Sequence, residues 1–563
     1  MKKILPIVSV AMLMLASCAK TPTKRPVEVD HRGQWVDSVY AQMSLKEKVG
    51  QLFMVSAYSN RNDGHTDSIQ KLINDYQIGG LIFFQGGPIR QANQTNTYQA
   101  LSKVPMFIGV DGEWGLNMRL DSTARYPYNM TLGAITNTKI LEKIGHQIGV
   151  DCNRMGIHIN FAPVVDINTN SKNPVIGVRS YGEDKYNVAK KAWAFTKGME
   201  GTGVIGSAKH FPGHGDTDTD SHKTLPTVGF TEKRIDSVEL YPYKELFNKG
   251  VGGVMVAHLN VPSLEPQAGL PSSLSYKIVT ELLKEQLGFK GLIFTDALNM
   301  KGAADYGQPG DIDLAAFKAG NDVLLFSEDA PKAITKIVEA YNAKEVSEER
   351  LAHSVKKILA AKFDTGLNNY QPIETKNLIT DLNGEVNTNL YEEAIRNAIT
   401  VIKNDDQLMP FKTNKDLKIA FVKLGEGPSE AFLKALKYRA EVTEITNTSA
   451  KTMLEDLKMY DKIIIGYHRK NSRLTYALSA ADKKLIESIA KEHQTLLTVF
   501  ASQYSLKETY LDNLEGIVIS YENSEIANNV SAEIIFGEVE AKGTLPASIS
   551  VTYPVHTGLV NPL

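Results

Sequence analysis

The sequence predicts an α/β fold, a (β/α)8 TIM-type barrel followed by a smaller α/β sandwich domain. Short continuous apolar runs alternate with helical patterns through the first two thirds of the chain. Such runs suit a parallel sheet covered on both faces. Charged side chains stand at the C-terminal ends of many of these runs, where a barrel builds its chemistry. Near 365–390 the pattern breaks into a polar connector and then resumes with a second, shorter set.

Taken in order, Ser44 and Glu47 form a capping box that opens a helix carrying Val49, Leu52 and Phe53. The strand-like runs are 79-GGLIFFQ-85, 105-PMFIGVD-111, 159-INFAPVVDI-167, 204-VIGSAKHF-211, 252-GGVMVAHL-259, 291-GLIFTDAL-298 and 322-DVLLFS-327. About eight βα units over roughly 330 residues fit a barrel, with a doubly wound open sheet as the alternative. Asp111, Asp166, Lys209, His210, His258 and Asp296 all stand at or near a run's end. One such charge is commonly a helix cap; their repetition points to a site. Beyond the connector, a helix over 390–400 precedes the runs 417-LKIAFVKL-424, 462-KIIIGYH-468, 496-LLTVFAS-502 and 516-GIVIS-520. The expected division is a signal peptide over 1–17, a tether over 18–30, the barrel over 31–370, a linker over 371–389 and the sandwich over 390–563.

At 563 residues the chain exceeds one ordinary core, which supports two domains. Lys and Arg total 62 against 64 Asp and Glu, so no basic excess marks a nucleic-acid partner. Two lysines follow Met1, and 5-LPIVSVAMLML-15 is too short to span a bilayer comfortably. The run ends in 15-LASC-18, which resembles the bacterial lipobox. That resemblance implies lipid attachment at Cys18 and a membrane-anchored protein outside the cytoplasm, at the periplasmic face or cell surface. The other cysteine is Cys152, so no internal disulfide is expected in the mature protein.

The stretch 209-KHFPGHGDTDTDSH-222 is too rich in ionisable groups for a core. A metal site, a solvated loop and an acid/base device are the three readings. For calcium, the loop from Asp216 has Ser221 where the EF-hand needs glycine and Thr227 where it needs glutamate. For zinc, Pro212 and Gly213 forbid the helix that would put His210 and His214 on one face. No metal or cofactor is expected. A solvated loop explains the aspartates but not their place on the rim. In an extended segment Asp220 and His222 lie on one side, where the carboxylate would orient the imidazole and favour its protonated form.

The same stretch resembles the signature of the β-N-acetylglucosaminidase branch of glycoside hydrolase family 3, supported by 173-NPVIGVRSYGED-184, 105-PMFIGVDGEW-114 and 291-GLIFTDALNMKGA-303. The resemblance covers essentially residues 40–370, and more loosely the second domain. It implies Asp296 as nucleophile and His222 as acid/base held by Asp220. It further implies that Asp111, Arg119, Arg179, Lys209 and His210 hold the hydroxyls of a terminal sugar. The family usually shows Asp-x-Glu-Gly-Gly-Arg-Val, whereas 111-DGEWGLNMR-119 carries Trp114, Leu116 and Asn117 and keeps Asp111 and Arg119 eight apart. The implied activity is retaining removal of terminal β-GlcNAc, from a muropeptide or another GlcNAc-terminated oligosaccharide. Phosphorolysis and chitin or glycan substrates are the alternatives. A non-enzymatic sugar-binding lipoprotein would have no use for Asp296 and His222.

Overall fold

The computed structural model of the chain describes residues 30–411, 417–446, 450–472 and 477–559. The expected signal peptide and Cys18 lie outside the described residues, as does the tether up to position 29. Among the described residues no helix is long and apolar enough to cross a membrane.

The capping box forms as the sequence predicts, with Ser44 and Glu47 each accepting from the other's backbone amide. The helix it opens, Leu45–Gly50, is shorter than expected. Gly50 packs so tightly that a Cβ there would come within 2.0 Å of the Tyr76 carbonyl oxygen. Phe53 does not extend the helix but opens a strand, β1, Phe53–Tyr58. This is the barrel's first strand, absent from the seven runs read in the sequence.

The others are β2 Gly80–Gln85, β3 Phe107–Val110, β4 Ile159–Asn160, β5 Ile205–Phe211, β6 Gly253–Val256, β7 Leu292–Thr295 and β8 Leu324–Leu325. Their order is β7-β6-β5-β4-β3-β2-β1-β8 with every pairing parallel. A parallel bridge from Phe294 to Val323 closes β7 onto β8 and makes the sheet a barrel rather than an open one. β4 is much shorter than its apolar run. Pro163 has no amide to donate, and beyond it contact with β5 survives as a bridge between Val164 and Lys209. Inside the barrel the rings of Phe161 and Phe294 meet edge to face, 5.2 Å between centroids. Gly109 gives them room: a Cβ there would lie 2.9 Å from Phe161.

Among its described residues the second domain holds six strands: β9 Thr400–Asn404, β10 Ile419–Leu424, β11 Val442–Glu444, β12 Lys462–His468, β13 Thr495–Phe500 and β14 Gly516–Ile519. Their order is β11-β10-β12-β13-β14-β9, parallel except for the antiparallel edge strand β9. Two of these differ from the sequence reading. The preceding helix is Glu385–Ala398, so Thr400 begins β9 rather than ending a helix. β11 is a short edge strand, buried at Val442 alone, with no apolar run to mark it.

Replacing Phe294 with Ala should cost about 3–5 kcal/mol, because the fully buried ring fills the barrel where the sheet closes. The midpoint of chemical denaturation measures this. A parental midpoint would show that the barrel interior does not limit stability.

Candidate active site

The C-terminal rim of the barrel surrounds a cleft of about 460 Å³ lined by Asp111, Arg119, Arg179, Lys209, His210, His222 and Asp296. Of the residues singled out in the sequence, Asp166, Asp220 and His258 stand behind the lining, and Cys18 lies outside the described residues. Asp111 follows β3, Lys209 and His210 belong to β5, and Asp296 follows β7, its amide bonded to the Val256 carbonyl of β6. Each is thereby aimed by a rigid element.

On one wall the charges alternate. Arg119 donates to Asp111 (2.5 Å), and the Lys209 ammonium bridges Asp111 and Glu113, 2.8 Å from each. Arg179 grips both oxygens of Glu113 at 2.7 and 3.0 Å, and its guanidinium reaches to 3.3 Å from His210 Nε2. His210 Nδ1 lies 2.7 Å from Asp166, which also accepts the His214 amide. Burial raises the pKa of Asp111 and Glu113, but Lys209 with Arg119, and Arg179 with Lys209, outweigh it and hold both well below the carboxylate range.

Asp296 is partly exposed to the cleft and accepts from the Ala297 amide at 2.8 Å. Desolvation opposes its ionisation. The nearby His210 and His258 rings, the Ala297 amide and Lys209 together outweigh this, leaving its pKa below the ordinary value. Burial lowers the pKa of His258, and its Nε2 lies 3.0 Å from the Ala297 carbonyl. Since a carbonyl only accepts, the proton sits on Nε2 and Nδ1 accepts from Ser273. His214 is fully enclosed, pushed down to about 4 by burial, and lies against Thr217 and Ser221. Among the described residues no group of His, Cys, Asp and Glu is arranged to hold a metal ion.

Asp220 and His222 do pair, Oδ1 to Nδ1 at 2.8 Å, but not by strand alternation. The segment turns, with the amides of Lys223 and Thr224 bonded to the Asp220 carbonyl. Asp220 Oδ1 also accepts the His222 amide at 2.9 Å. An Asx turn thus achieves what an extended strand was expected to do. The His222 side chain is 63% exposed, at the mouth of the cleft.

A model described as the glycosyl hydrolase family 3 N terminal domain matches residues 44–361. The chain belongs to glycosyl hydrolase family 3. It is 32% identical over 381 residues to Beta-hexosaminidase A of Pseudoalteromonas piscicida, covering 62% of each chain. It is 30% identical to Beta-hexosaminidase of Nitrosomonas eutropha over 51% of this chain and 84% of that one. Among solved structures it resembles a glycoside hydrolase family 3 beta-N-acetylglucosaminidase from Paenibacillus sp. str. FPU-7. That likeness has a TM-score of 0.75 and 30% identity, covering 90% of this chain and 99% of the other.

Where this family 3 chain departs from the usual pattern, Trp114 is buried against Tyr128 at 4.9 Å and Leu116 is buried, while Arg119 still reaches Asp111. Sequence reasoning missed Glu113, although it lies two residues past Asp111. It also missed an aromatic wall. Arg119 stacks 3.7 Å over Phe84, and Phe326, with φ of 50°, packs edge-on to Phe84. Both phenylalanines stand at run ends where other runs carry charge.

Replacing Glu113 with Gln should leave Arg179 and Lys209 under-compensated and cost about 3–5 kcal/mol at neutral pH. Because Glu113 titrates lower folded than unfolded, its contribution is present above about pH 4.5 and fades as pH falls below that. Denaturation across pH should therefore show a shallower acid limb for Glu113→Gln than for the parent. Superimposable limbs would remove Glu113 from the network's energetics.

Proposed function

We propose that this chain is a retaining exo-β-N-acetylglucosaminidase, a β-hexosaminidase-type glycoside hydrolase that removes terminal GlcNAc. The observation that carries this reading is the pairing of Asp220 with His222 at the mouth of a cleft holding the ionised Asp296. Retaining hydrolysis needs a nucleophile on one face of the anomeric carbon and a proton donor at the leaving oxygen. Asp296 attacks the anomeric carbon as the glycosidic bond breaks, giving a covalent glycosyl-enzyme. His222 turns Nδ1 to Asp220, which leaves Nε2 to protonate the departing sugar. In the second step the neutral imidazole takes a proton from water as the water displaces Asp296. The alternating charges of Asp111, Arg119, Lys209, Arg179 and His210 offer donors and acceptors to sugar hydroxyls without a large net charge.

The lipobox-like 15-LASC-18 supports a lipid-anchored address in the cell envelope, where muropeptides supply GlcNAc-terminated chains. Membrane fractionation checks the anchor: Cys18→Ala should move the protein to the soluble fraction, and a variant still wholly in the pellet would refute it.

The chemistry is tested by a leaving-group series. For His222→Ala, cleavage of alkyl or sugar β-GlcNAc glycosides should fall about 10²–10⁴-fold, and of acidic aryl glycosides far less in the first step. The slope of log rate against leaving-group pKa should steepen; an unchanged slope places the acid elsewhere. Asp296→Asn should lose several orders of magnitude on every substrate. Repeating the parent assay with inorganic phosphate separates free GlcNAc from its 1-phosphate as the product.

A further inference from the structure

Arg179 sits on no strand or long helix. It ends a single turn, Gly177–Arg179, within the irregular stretch 168–182. Contacts with the second domain hold that stretch from behind. The Tyr504 hydroxyl accepts from Asn168 Nδ2 at 2.9 Å, and Asn168 Oδ1 accepts the Gly177 amide at 3.1 Å. Val178, next to Arg179, is buried in a separate apolar cluster with Met130 of the barrel and Tyr504 and Ala547 of the second domain. A second route runs through Asn129, which donates to the Arg179 carbonyl at 2.7 Å. The segment before it is gathered on Glu522, a wholly buried carboxylate of the second domain. Glu522 accepts from the Arg125 guanidinium at 2.5 Å and the Tyr128 amide at 2.7 Å.

We infer that the second domain fixes the position of the Arg179 guanidinium in the cleft, with Tyr504 as the positioning residue. The inference rests on the proposed role of Arg179 in gripping the sugar. A loop carries a site residue less rigidly than a strand does, so this guanidinium depends on what packs behind it. Small displacements of a binding group are costly. The Tyr504 hydroxyl is joined through one buried amide side chain to the turn's first residue, and its ring packs beside the residue preceding Arg179. None of Asn168, Val178 and Tyr504 lines the cleft itself.

Tyr504→Phe keeps the ring in the apolar cluster and deletes the hydroxyl. KM for a simple aryl β-GlcNAc glycoside should rise about three- to tenfold while kcat stays within about twofold, as uniform loss of sugar binding requires. Asn168→Ala should give the same split from the barrel side. Arg179→Lys, which keeps a charge for Glu113 but loses the fork, should raise KM further. The double variant Tyr504→Phe/Arg179→Lys should show no larger rise than Arg179→Lys alone. A lowered thermal midpoint with parental KM in Tyr504→Phe and Asn168→Ala would reduce the contact to domain adhesion and overturn the inference. Additive rises in the double variant would overturn it too. A parental KM in Arg179→Lys would instead sink the sugar-binding reading on which it rests.

Discussion

The active rim is organised around one buried cation. Lys209 is 2% exposed, and its ammonium lies 2.8 Å from both Asp111 and Glu113. Without that charge, two carboxylates two residues apart would face each other in a dry wall, where neither could remain ionised cheaply. With it, each carboxylate is free to bind a second cation, Arg119 on one side and Arg179 on the other. The residues thus linked come from the ends of β3 and β5 and the loop beyond β4, so the network also ties together the strand ends that shape the cleft. Such a network adds little stability over an apolar wall. Its advantage is that polar groups are already oriented before a sugar arrives.

The same arrangement separates the proposed reacting groups by environment. The pKa of Asp296 stays below the ordinary value despite desolvation, through His210 and His258, the Ala297 amide and Lys209 together. His210 is in turn held by the wholly buried Asp166. His222 is different: it stands largely in solvent, and its side chain pairs with Asp220, itself on the same turn. A nucleophile gains from being fixed and partly dehydrated. A proposed acid/base that must give its proton to a leaving group and recover one from water gains from an open position. The short Asx turn orients the ring without enclosing it.

Local sequence showed those features whose cause is local. Apolar runs gave seven of the barrel's strands, and the charges at their ends gave Asp111, Lys209, His210 and Asp296 of the cleft. β1 escaped because Phe53, its first residue, continues the apolar pattern of the helix that ends at Gly50. The pairing of Asp220 with His222 was legible from spacing, although the conformation that produces it was not. Phe84 and Phe326 were hidden by looking only for charge. Tyr504 and Glu522 had no local signal at all: the Asn168–Tyr504 bond joins residues 336 positions apart.

That last contact bears on why the barrel and the second domain are packed so closely. Of the network's cations, Lys209 is set by a strand and Arg119 is clamped over the Phe84 ring, while Arg179 has only a turn beneath it. Its two bonds to Glu113 specify where the guanidinium should be, but they draw on the same side chain that would meet the sugar. If the backbone beneath could shift, those bonds would shift with it and pull on Glu113 and therefore on Lys209. Anchoring the turn through Val178, Asn168 and the Arg179 carbonyl removes that freedom at the backbone and leaves the guanidinium face to the cleft. The second domain then acts on the charge network through a cation carried on a turn rather than on a strand.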